Sequence, residues 1–266
     1  MNITITGNLG SGKSSVAKIL KERGYEYSST GNIFRQLAME KGLSVEEFNK
    51  QVNEAASRGD HSVDQMIDDT TTRIGKERDN VVFDSRLAWH FAPKSFKVFI
   101  ITDIDEASRR VFHDSLRANS ESYESQAACR KALINRQKLE TVRYKEIYDI
   151  DYYDMSNYNL IIESTNALPD KIAQEILDKM IDYQNGSFER MIELNPSSIK
   201  VADVSGSDRD SHTIEVSEKG GTFTLTAGKR RLDEAIAQDL KFVPVKVSRS
   251  EEDEEDSFMN FANIAK

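Results

Sequence analysis

The stretch that decides the fold is "ITITGNLGSGKSSVAKIL", residues 3–20. Its first four residues are apolar or β-branched, as in a buried strand of a parallel sheet, and residues 16–20 begin the apolar stripe of a helix. Between them, Gly7-x-x-x-x-Gly12-Lys13-Ser14 follows the pattern of a phosphate-binding loop, in the strand–loop–helix context that the pattern requires.

Each residue type in this loop suits a triphosphate. The glycines let the backbone curl so that successive N–H groups point at phosphate oxygens, and the helix that follows adds the positive end of its dipole. The Lys13 ammonium is expected to reach the β- and γ-phosphates, and the Ser14 hydroxyl is expected to ligate Mg²⁺. The residues predicted to bind the nucleotide are Gly7, Asn8, Leu9, Gly10, Ser11, Gly12, Lys13, Ser14 and Ser15.

Composition narrows the function classes. The chain has 266 residues and a formal net charge of −9, which argues against broad nucleic-acid binding. A single cysteine, Cys129, excludes a disulfide within the chain and favours a cytoplasmic protein. No apolar run approaches the ~20 residues of a membrane span, and no signal peptide precedes the first strand pattern. The four scattered histidines form no zinc-ligand pattern with the cysteine.

Strand and helix patterns alternate over the first two-thirds of the chain, which predicts a doubly wound α/β domain over residues 1–183, with a parallel five-stranded sheet. The predicted strands are 3–6, 81–83, 98–101 and 160–162, with a weaker candidate at 25–27. The predicted helices are 13–22, 31–40, 44–57, 62–78, 104–117, 122–147 and 168–183.

The character of the chain changes after "YQNGS", residues 183–187, which is a turn signal. We predict a linker at 184–192 and a small α+β domain at 193–248. Within it, strands are expected at 198–204, 222–226 and 243–247 and a helix at 232–240. The tail, residues 249–266, contains six consecutive carboxylates, whose mutual repulsion predicts disorder.

Two segments resemble the binding site of a second, phosphorylated substrate. In "SSTGNIFRQLA", residues 28–38, Thr30 is the predicted N-cap of a helix that carries Arg35 in its second turn. In "NVVFDSRLAWHF", residues 80–91, a strand delivers Asp84 and Arg86 to its carboxyl end, where ligands bind in open α/β sheets. The alternatives are a capped surface helix and a salt bridge at the end of a strand.

Paired arginines suggest a helical lid over the donor nucleotide. Arg110 and Arg117 are seven residues apart, as are Arg136 and Arg143, so each pair shares a helix face. Closure of such a lid would bring cations to the developing charge and expel water. The alternative is a solvated helix face on which the arginines pair with interleaved glutamates.

Four segments resemble the cytidylate kinase family of nucleoside monophosphate kinases, in its short archaeal form: the opening stretch, "STGNIFRQLAMEKGLSVEEF", "NVVFDSRLA" and "RYKEIYDIDYYDMSNYNLIIEST". They occur in the family's order and spacing. The resemblance implies a phosphotransferase that moves the γ-phosphate of ATP, with Mg²⁺, to CMP or dCMP. One departure is Ser85, which stands where the family commonly has glycine.

The resemblance also implies residue roles. Lys13 and Arg86 are expected to act in transfer, and Arg136 and Arg143 to be lid cations. Asp84 is expected to act with Lys13 and Arg86 on other grounds, because its place at the carboxyl end of a strand suits it to hold a water on Mg²⁺ or to accept from an attacking hydroxyl. Arg109 or Arg110 is expected to join these lid cations at the bound ATP. The residues expected to bind the acceptor are Thr30, Gly31, Arg35, Arg86, Asp151 and Asp154.

The segment "GTFTLTAGKRRLDEAIAQDLKFVPVKV", residues 221–247, resembles a different family, the ParB/sulfiredoxin-like fold. Gly228 and Arg231 match the glycine-arginine turn that faces a nucleotide or phosphate in that family. A nucleotide-sensing, partner-binding, structural or second catalytic role stays open, because a fold by itself does not specify function. The protein partner of this domain is not identified by the sequence.

Two alternatives to a (d)CMP kinase remain at this stage. One is a P-loop kinase for another nucleotide or a small alcohol, for which Asp84 would have to act as the base. The other is a nucleotide-gated regulatory protein that acts through the C-terminal domain. In the kinase hypotheses the partner is a small-molecule substrate, and no hypothesis requires a membrane or nucleic acid.

Overall fold

The computed structural model describes residues 1–43, 45–56, 58–114, 123–188, 190–201, 211–219 and 221–248. They fall into two compact units. The first unit consists of residues 1–6 and 17–97, and the second consists of residues 7–16 and the described residues from Val98 onward. The predicted acidic tail, 249–266, lies outside the described residues.

The first unit contains three parallel strands, β1 (Ile3–Gly7), β2 (Glu26–Ser29) and β3 (Val81–Asp84), with β3 between the other two. The strand β1 is buried throughout, as its uninterrupted apolar and β-branched sequence predicts. The helices associated with this unit are α1 (Lys13–Glu22), α2 (Thr30–Glu40), α3 (Val45–Ala56), α4 (Ser62–Glu77) and α5 (Ala88–Phe91).

The register of these strands brings three chain segments to one edge. Ile5 lies opposite Asp84 in the β1–β3 pair, and Ser29 lies opposite Asp84 in the β2–β3 pair. Because all three strands run in the same direction, the residues that follow each of them leave the sheet at the same, carboxyl edge. Within the first unit, those residues are α2 after β2 and the turn 85–86 after β3.

The second unit is built on a mixed sheet. Its strands are β4 (Phe96–Ile101), β5 (Leu160–Glu163), β6 (Met191–Leu194), β7 (Ile199–Val201), β8 (Ile214–Lys219), β9 (Thr222–Ala227) and β10 (Val243–Ser248), in the order β4-β5-β6-β10-β8-β9-β7. Its helices are α6 (Ile104–Phe112), α7 (Gln126–Tyr148), α8 (Pro169–Gln184) and α9 (Lys229–Ala237).

The five predicted strands are present as β1 to β5, but the prediction of a purely parallel sheet with only these strands was wrong. The strand β6 continues the sheet parallel to β5, and β10 joins β6 in the antiparallel direction. The strand β6 carries the charged residue Glu193, which obscures the apolar pattern. Its carboxylate is buried, and the Lys179 ammonium, 2.9 Å away, offsets the free-energy cost of burying that charge.

The boundary predicted at residue 183 stays a prediction, and the two compact units divide elsewhere in the chain. The strand β8 was also missed, although its sequence alternates between buried and half-buried residues as a strand of a half-covered sheet does. Among the described residues, no helix is both long and apolar enough to cross a membrane.

Candidate functional site

The P-loop, residues 7–14, has a backbone that only glycine tolerates at two of its positions. Gly7 and Gly10 have φ angles of +154° and +76°. A Cβ on Gly7 would lie 2.3 Å from the carbonyl oxygen of Ile100, and one on Gly10 would lie 2.7 Å from that of Ala107. The loop therefore packs against the backbone of β4 and α6, and its glycines are required by both angle and space.

Three loop residues anchor the P-loop to its surroundings. The Asn8 side chain donates to the carbonyl oxygen of Thr102 over 2.7 Å and accepts from the Thr102 N–H over 3.1 Å. The Ser11 carbonyl accepts from the Ser164 hydroxyl over 2.9 Å. Leu9 is buried in an apolar cluster together with Ala107, Val111, Cys129 and Leu133.

Thr102 and Ser164 were not predicted as residues of the site. Each follows the apolar run of a parallel strand, β4 or β5, and that position is the signal that points to them.

Three polar side chains of the P-loop, those of Lys13, Ser14 and Ser11, suit a bound triphosphate and its metal ion. The Lys13 ammonium donates to the carbonyl oxygens of Gly7 and Asn8 over 2.9 and 3.0 Å, so it lies across the loop. Ser14 is exposed in the first turn of α1. The Ser11 hydroxyl oxygen is buried with no hydrogen-bond partner. A curled loop, a helix N-terminus, a cation and the hydroxyl groups of Ser11 and Ser14 fit a Mg²⁺–triphosphate.

Of the two arginines left open by the sequence, Arg110 is the one beside the P-loop. Its Nη2 donates to the carbonyl oxygens of Ser164 and Thr165 over 2.7 and 3.0 Å, and its Nη1 lies 3.9 Å from where a Cβ on Gly12 would stand. Its Nε donates to a Glu106 oxygen over 2.7 Å.

Arg109 instead pairs with the two carboxylate oxygens of Glu106, both at 2.7 Å, and its side chain is 55% exposed. The hydrogen bond from Arg109, followed by that from Arg110, holds the pKa of Glu106 below its ordinary value. Glu106 therefore stays ionised between two guanidinium groups at neutral pH.

The remaining lid candidates lie on α7. Arg136 is exposed and donates to Glu140 over 3.0 Å, and Arg143 is also exposed. The buried face of α7 contributes Cys129 and Leu133 to the cluster that contains the P-loop residue Leu9. Arg117 lies outside the described residues. The role of Arg136 and Arg143 as lid cations stays a prediction.

In the first unit, the turn after β3 is held in place from two sides. The Tyr27 hydroxyl donates to an Asp84 oxygen over 3.1 Å. The Thr6 hydroxyl donates to the carbonyl oxygens of Ser85 and Arg86, each over 3.2 Å. Ser85 does not have a positive φ, so the serine that replaces the family's glycine adds no backbone strain here.

The helix α2 begins one residue away from the predicted position. Ser29, rather than Thr30, is the N-cap, because its extended backbone lets its hydroxyl accept from the Asn32 N–H over 3.0 Å. Arg35 donates to the Asn32 side chain, and its guanidinium passes close to Gly31. Thr30, Gly31 and Arg35 thus stand at the carboxyl edge that also carries Asp84 and Arg86.

Asp151 and Asp154 serve local turns. The Asp151 carboxylate accepts from the Tyr153 N–H over 2.9 Å, and the Asp154 carboxylate accepts from the Ser156 N–H over 3.0 Å. These bonds fix the chain between α7 and β5. Contact of either residue with an acceptor stays a prediction.

The glycine-arginine turn begins α9. Gly228 has a φ of +83°, and a Cβ there would lie 2.3 Å from the carbonyl oxygen of Thr213. Arg231 is exposed and borders an open cleft of about 610 Å³. The likeness of this segment to the ParB/sulfiredoxin-like fold stays a prediction. No group of three metal-ligating side chains occurs among the described residues.

Comparisons with known proteins identify the family to which the residues of this site belong. A model of the cytidylate kinase-like family matches residues 2–166. The cytidylate kinase of Halobacterium salinarum is 34% identical over 187 residues, which cover 69% of this chain and 91% of that protein. The cytidylate kinase of Methanococcoides burtonii is 32% identical over 189 residues, which cover 71% of this chain and all of that protein.

A solved structure supports the fold. The crystal structure of an uncharacterized protein from Eubacterium ventriosum aligns with a TM-score of 0.50 at 16% identity, and the alignment covers 68% of this chain and 98% of that one. At this level of identity the likeness concerns the fold and not the activity.

Proposed function

Since the chain belongs to the cytidylate kinase-like family, and is thus a nucleoside monophosphate kinase, we propose that it transfers the γ-phosphate of ATP to CMP or dCMP. The observation that supports this proposal is the P-loop, which lies within the matched residues and whose glycines, Lys13 and Ser14 suit a bound triphosphate. The choice of a cytidine acceptor rests on the names of the relatives.

The proposed chemistry is an in-line displacement. An oxygen of the acceptor phosphate attacks the γ-phosphorus, and ADP leaves. The attacking oxygen is already anionic at neutral pH, so no strong general base is needed and Asp84 need not accept a proton. Catalysis then depends on position and on charge neutralisation.

The residues of this chain divide that work. Lys13 and the P-loop N–H groups bind the β- and γ-phosphates, and Arg110, held beside Gly12, adds a cation at the same loop. A bound Mg²⁺, ligated by Ser14, would neutralise phosphate charge. Arg35 and Arg86 are proposed to bind the acceptor phosphate, for which a guanidinium offers two parallel donors.

The experiment that tests the proposal is a panel of acceptors. Purified protein with ATP and Mg²⁺ is expected to release ADP at least tenfold faster with CMP or dCMP than with UMP, AMP, GMP or a polyol. Equal rates with several nucleotides would overturn the cytidine assignment. Tight ATP binding without ADP release from any acceptor would overturn the kinase proposal and favour a nucleotide-gated regulator.

Removal of the Arg86 guanidinium should weaken the acceptor specifically. We expect Arg86→Ala to raise the KM for CMP about 30-fold, because a charge-assisted phosphate contact contributes about 2 kcal/mol. The KM for ATP should change less than threefold. Steady-state kinetics with each substrate varied in turn checks both numbers.

The matched control is Arg73→Ala, since Arg73 is exposed on α4 and pairs with Glu77 at 3.5 Å on the surface. It should behave as the unmodified protein. An Arg86→Ala variant with an unchanged KM for CMP would remove Arg86 from the acceptor site.

A further inference from the structure

The segment from β6 to β10, residues 191–248, extends beyond the part of the chain that the family model matches. The Methanococcoides burtonii cytidylate kinase is covered over its whole length by 71% of this chain, so a protein of that family exists without an equivalent of the remainder. In this chain, nonetheless, side chains of the segment bond to two loops that hold the P-loop.

The first contact is made by Ser198, which precedes β7. Its hydroxyl donates to Glu163 Oε2 over 2.8 Å and accepts from the Asn166 side chain over 2.9 Å. The other oxygen of Glu163 accepts from the Thr165 N–H over 2.6 Å. Glu163 is 1% exposed, so its carboxylate depends on these partners and on a hydrogen bond from the Asn195 backbone. Ser198 therefore fixes the shape of the loop 163–166.

That loop in turn holds two parts of the donor site. The Ser164 hydroxyl donates to the Ser11 carbonyl of the P-loop. The carbonyl oxygens of Ser164 and Thr165 fix the Arg110 guanidinium beside Gly12. A displacement of the loop 163–166 would therefore move both the P-loop and the Arg110 guanidinium.

The second contact lies at the hairpin between β8 and β9. The Thr222 hydroxyl donates to Asp103 Oδ2 over 2.9 Å, while Asp103 Oδ1 caps α6 through the Asp105 and Glu106 N–H groups. A Cβ on Gly221, whose φ is +86°, would lie 3.0 Å from the carbonyl oxygen of Thr102. The hairpin thus packs against the backbone of Thr102, which also forms two hydrogen bonds with the Asn8 side chain.

We propose that the described residues of the segment 191–248 form a positioning element of the ATP site, in which Ser198 and Thr222 hold the two loops that border the P-loop. Neither residue touches the nucleotide. Each restricts a loop to the shape that binds ATP, so that less ordering is needed on binding. This inference rests on the proposed function for the identity of the nucleotide.

The test uses the full chain with Ser198→Ala and Thr222→Val. Each variant is expected to raise the KM and the calorimetric Kd for ATP about fivefold, which is what the loss of one hydrogen bond produces. The KM for CMP should stay within twofold. The conservative variants Ser198→Thr and Thr222→Ser keep a hydroxyl and should restore most of the ATP affinity.

Matched controls occur in the same part of the chain. Ser187→Ala removes an exposed hydroxyl that bonds to the Asp182 carbonyl, and Thr226→Val changes an exposed residue of β9. Both should bind ATP as the unmodified protein does. Thermal denaturation of all six variants separates a loss of affinity from a loss of fold.

Three outcomes would overturn the inference: unchanged ATP affinity in Ser198→Ala and Thr222→Val, an equal rise of both KM values, or a failure of the conservative variants to restore binding. If the protein binds ATP but phosphorylates no acceptor, the proposed function fails by itself. The calorimetric arm would still decide this inference, because it needs no turnover.

Discussion

Lys13→Ala is expected to lower kcat/KM about 10³-fold while the protein stays folded. The Lys13 ammonium lies across the P-loop, 2.9 and 3.0 Å from two of its carbonyl oxygens, at the N-terminus of α1. Removing a cation from the place where phosphate charge develops costs transition-state stabilisation that no neighbouring group replaces in full. ADP release with CMP as the acceptor measures the effect.

The control is Lys18→Ala on the same helix, since Lys18 is exposed and faces away from the apolar side of α1. It should retain the activity of the unmodified protein. Lys13→Arg keeps the charge but replaces a compact ammonium by a planar fork, and it should restore little. Turnover by Lys13→Ala within tenfold of the unmodified rate would contradict the donor-site assignment.

The P-loop was predictable because its determinants are local in sequence. Glycines at fixed spacing, a lysine and a serine between an apolar strand and a helix define one backbone path. The structure adds why Gly7 and Gly10 in particular are required: both meet the carbonyl oxygen of another segment. The parallel direction of β2 and β3 was also predicted, and the structure adds that it places Ser29 opposite Asp84.

The rest depended on contacts between residues far apart in the chain. No pattern near Asn8 or Ser11 names Thr102 or Ser164 as their partners, which are 94 and 153 residues away. Equally, spacing could not choose between Arg109 and Arg110, because adjacent helical residues differ only in the direction they face. In the structure both arginines bond to Glu106, and Arg110 in addition donates to two loop carbonyls beside the P-loop.

The C-terminal strands show a second limit of prediction. The sequence signals a change of character after residue 183, and "YQNGS" has the composition of a linker. It cannot show that β6 then pairs with β5 at Ile161 and Ile192. Pairing between strands depends on register and on neighbours from other elements, neither of which is encoded locally. That pairing is what brings Ser198 to the loop after β5.

Gly10→Ala is expected to destabilise the protein by about 3 kcal/mol and to lower kcat/KM about 100-fold. An alanine pays about 1 kcal/mol for the left-handed backbone at a φ of +76°. Its Cβ would also lie 2.7 Å from the Ala107 carbonyl oxygen and 3.0 Å from the Ala107 Cα, which are parts of the α6 backbone. Relieving that overlap means moving α6, at a further cost of about 2 kcal/mol.

Gly186→Ala separates the cost of the left-handed backbone from the cost of the overlap with α6. Gly186 has a φ of +73°, within a few degrees of Gly10, but a Cβ there would meet nothing within 4 Å. It should lose about 1 kcal/mol of stability and no activity. Chemical denaturation and ADP release measure the two quantities for each variant. Because α6 also carries Arg110, a shift of this helix would displace the cation that borders Gly12, and equal losses in the two variants would show that α6 does not have to move.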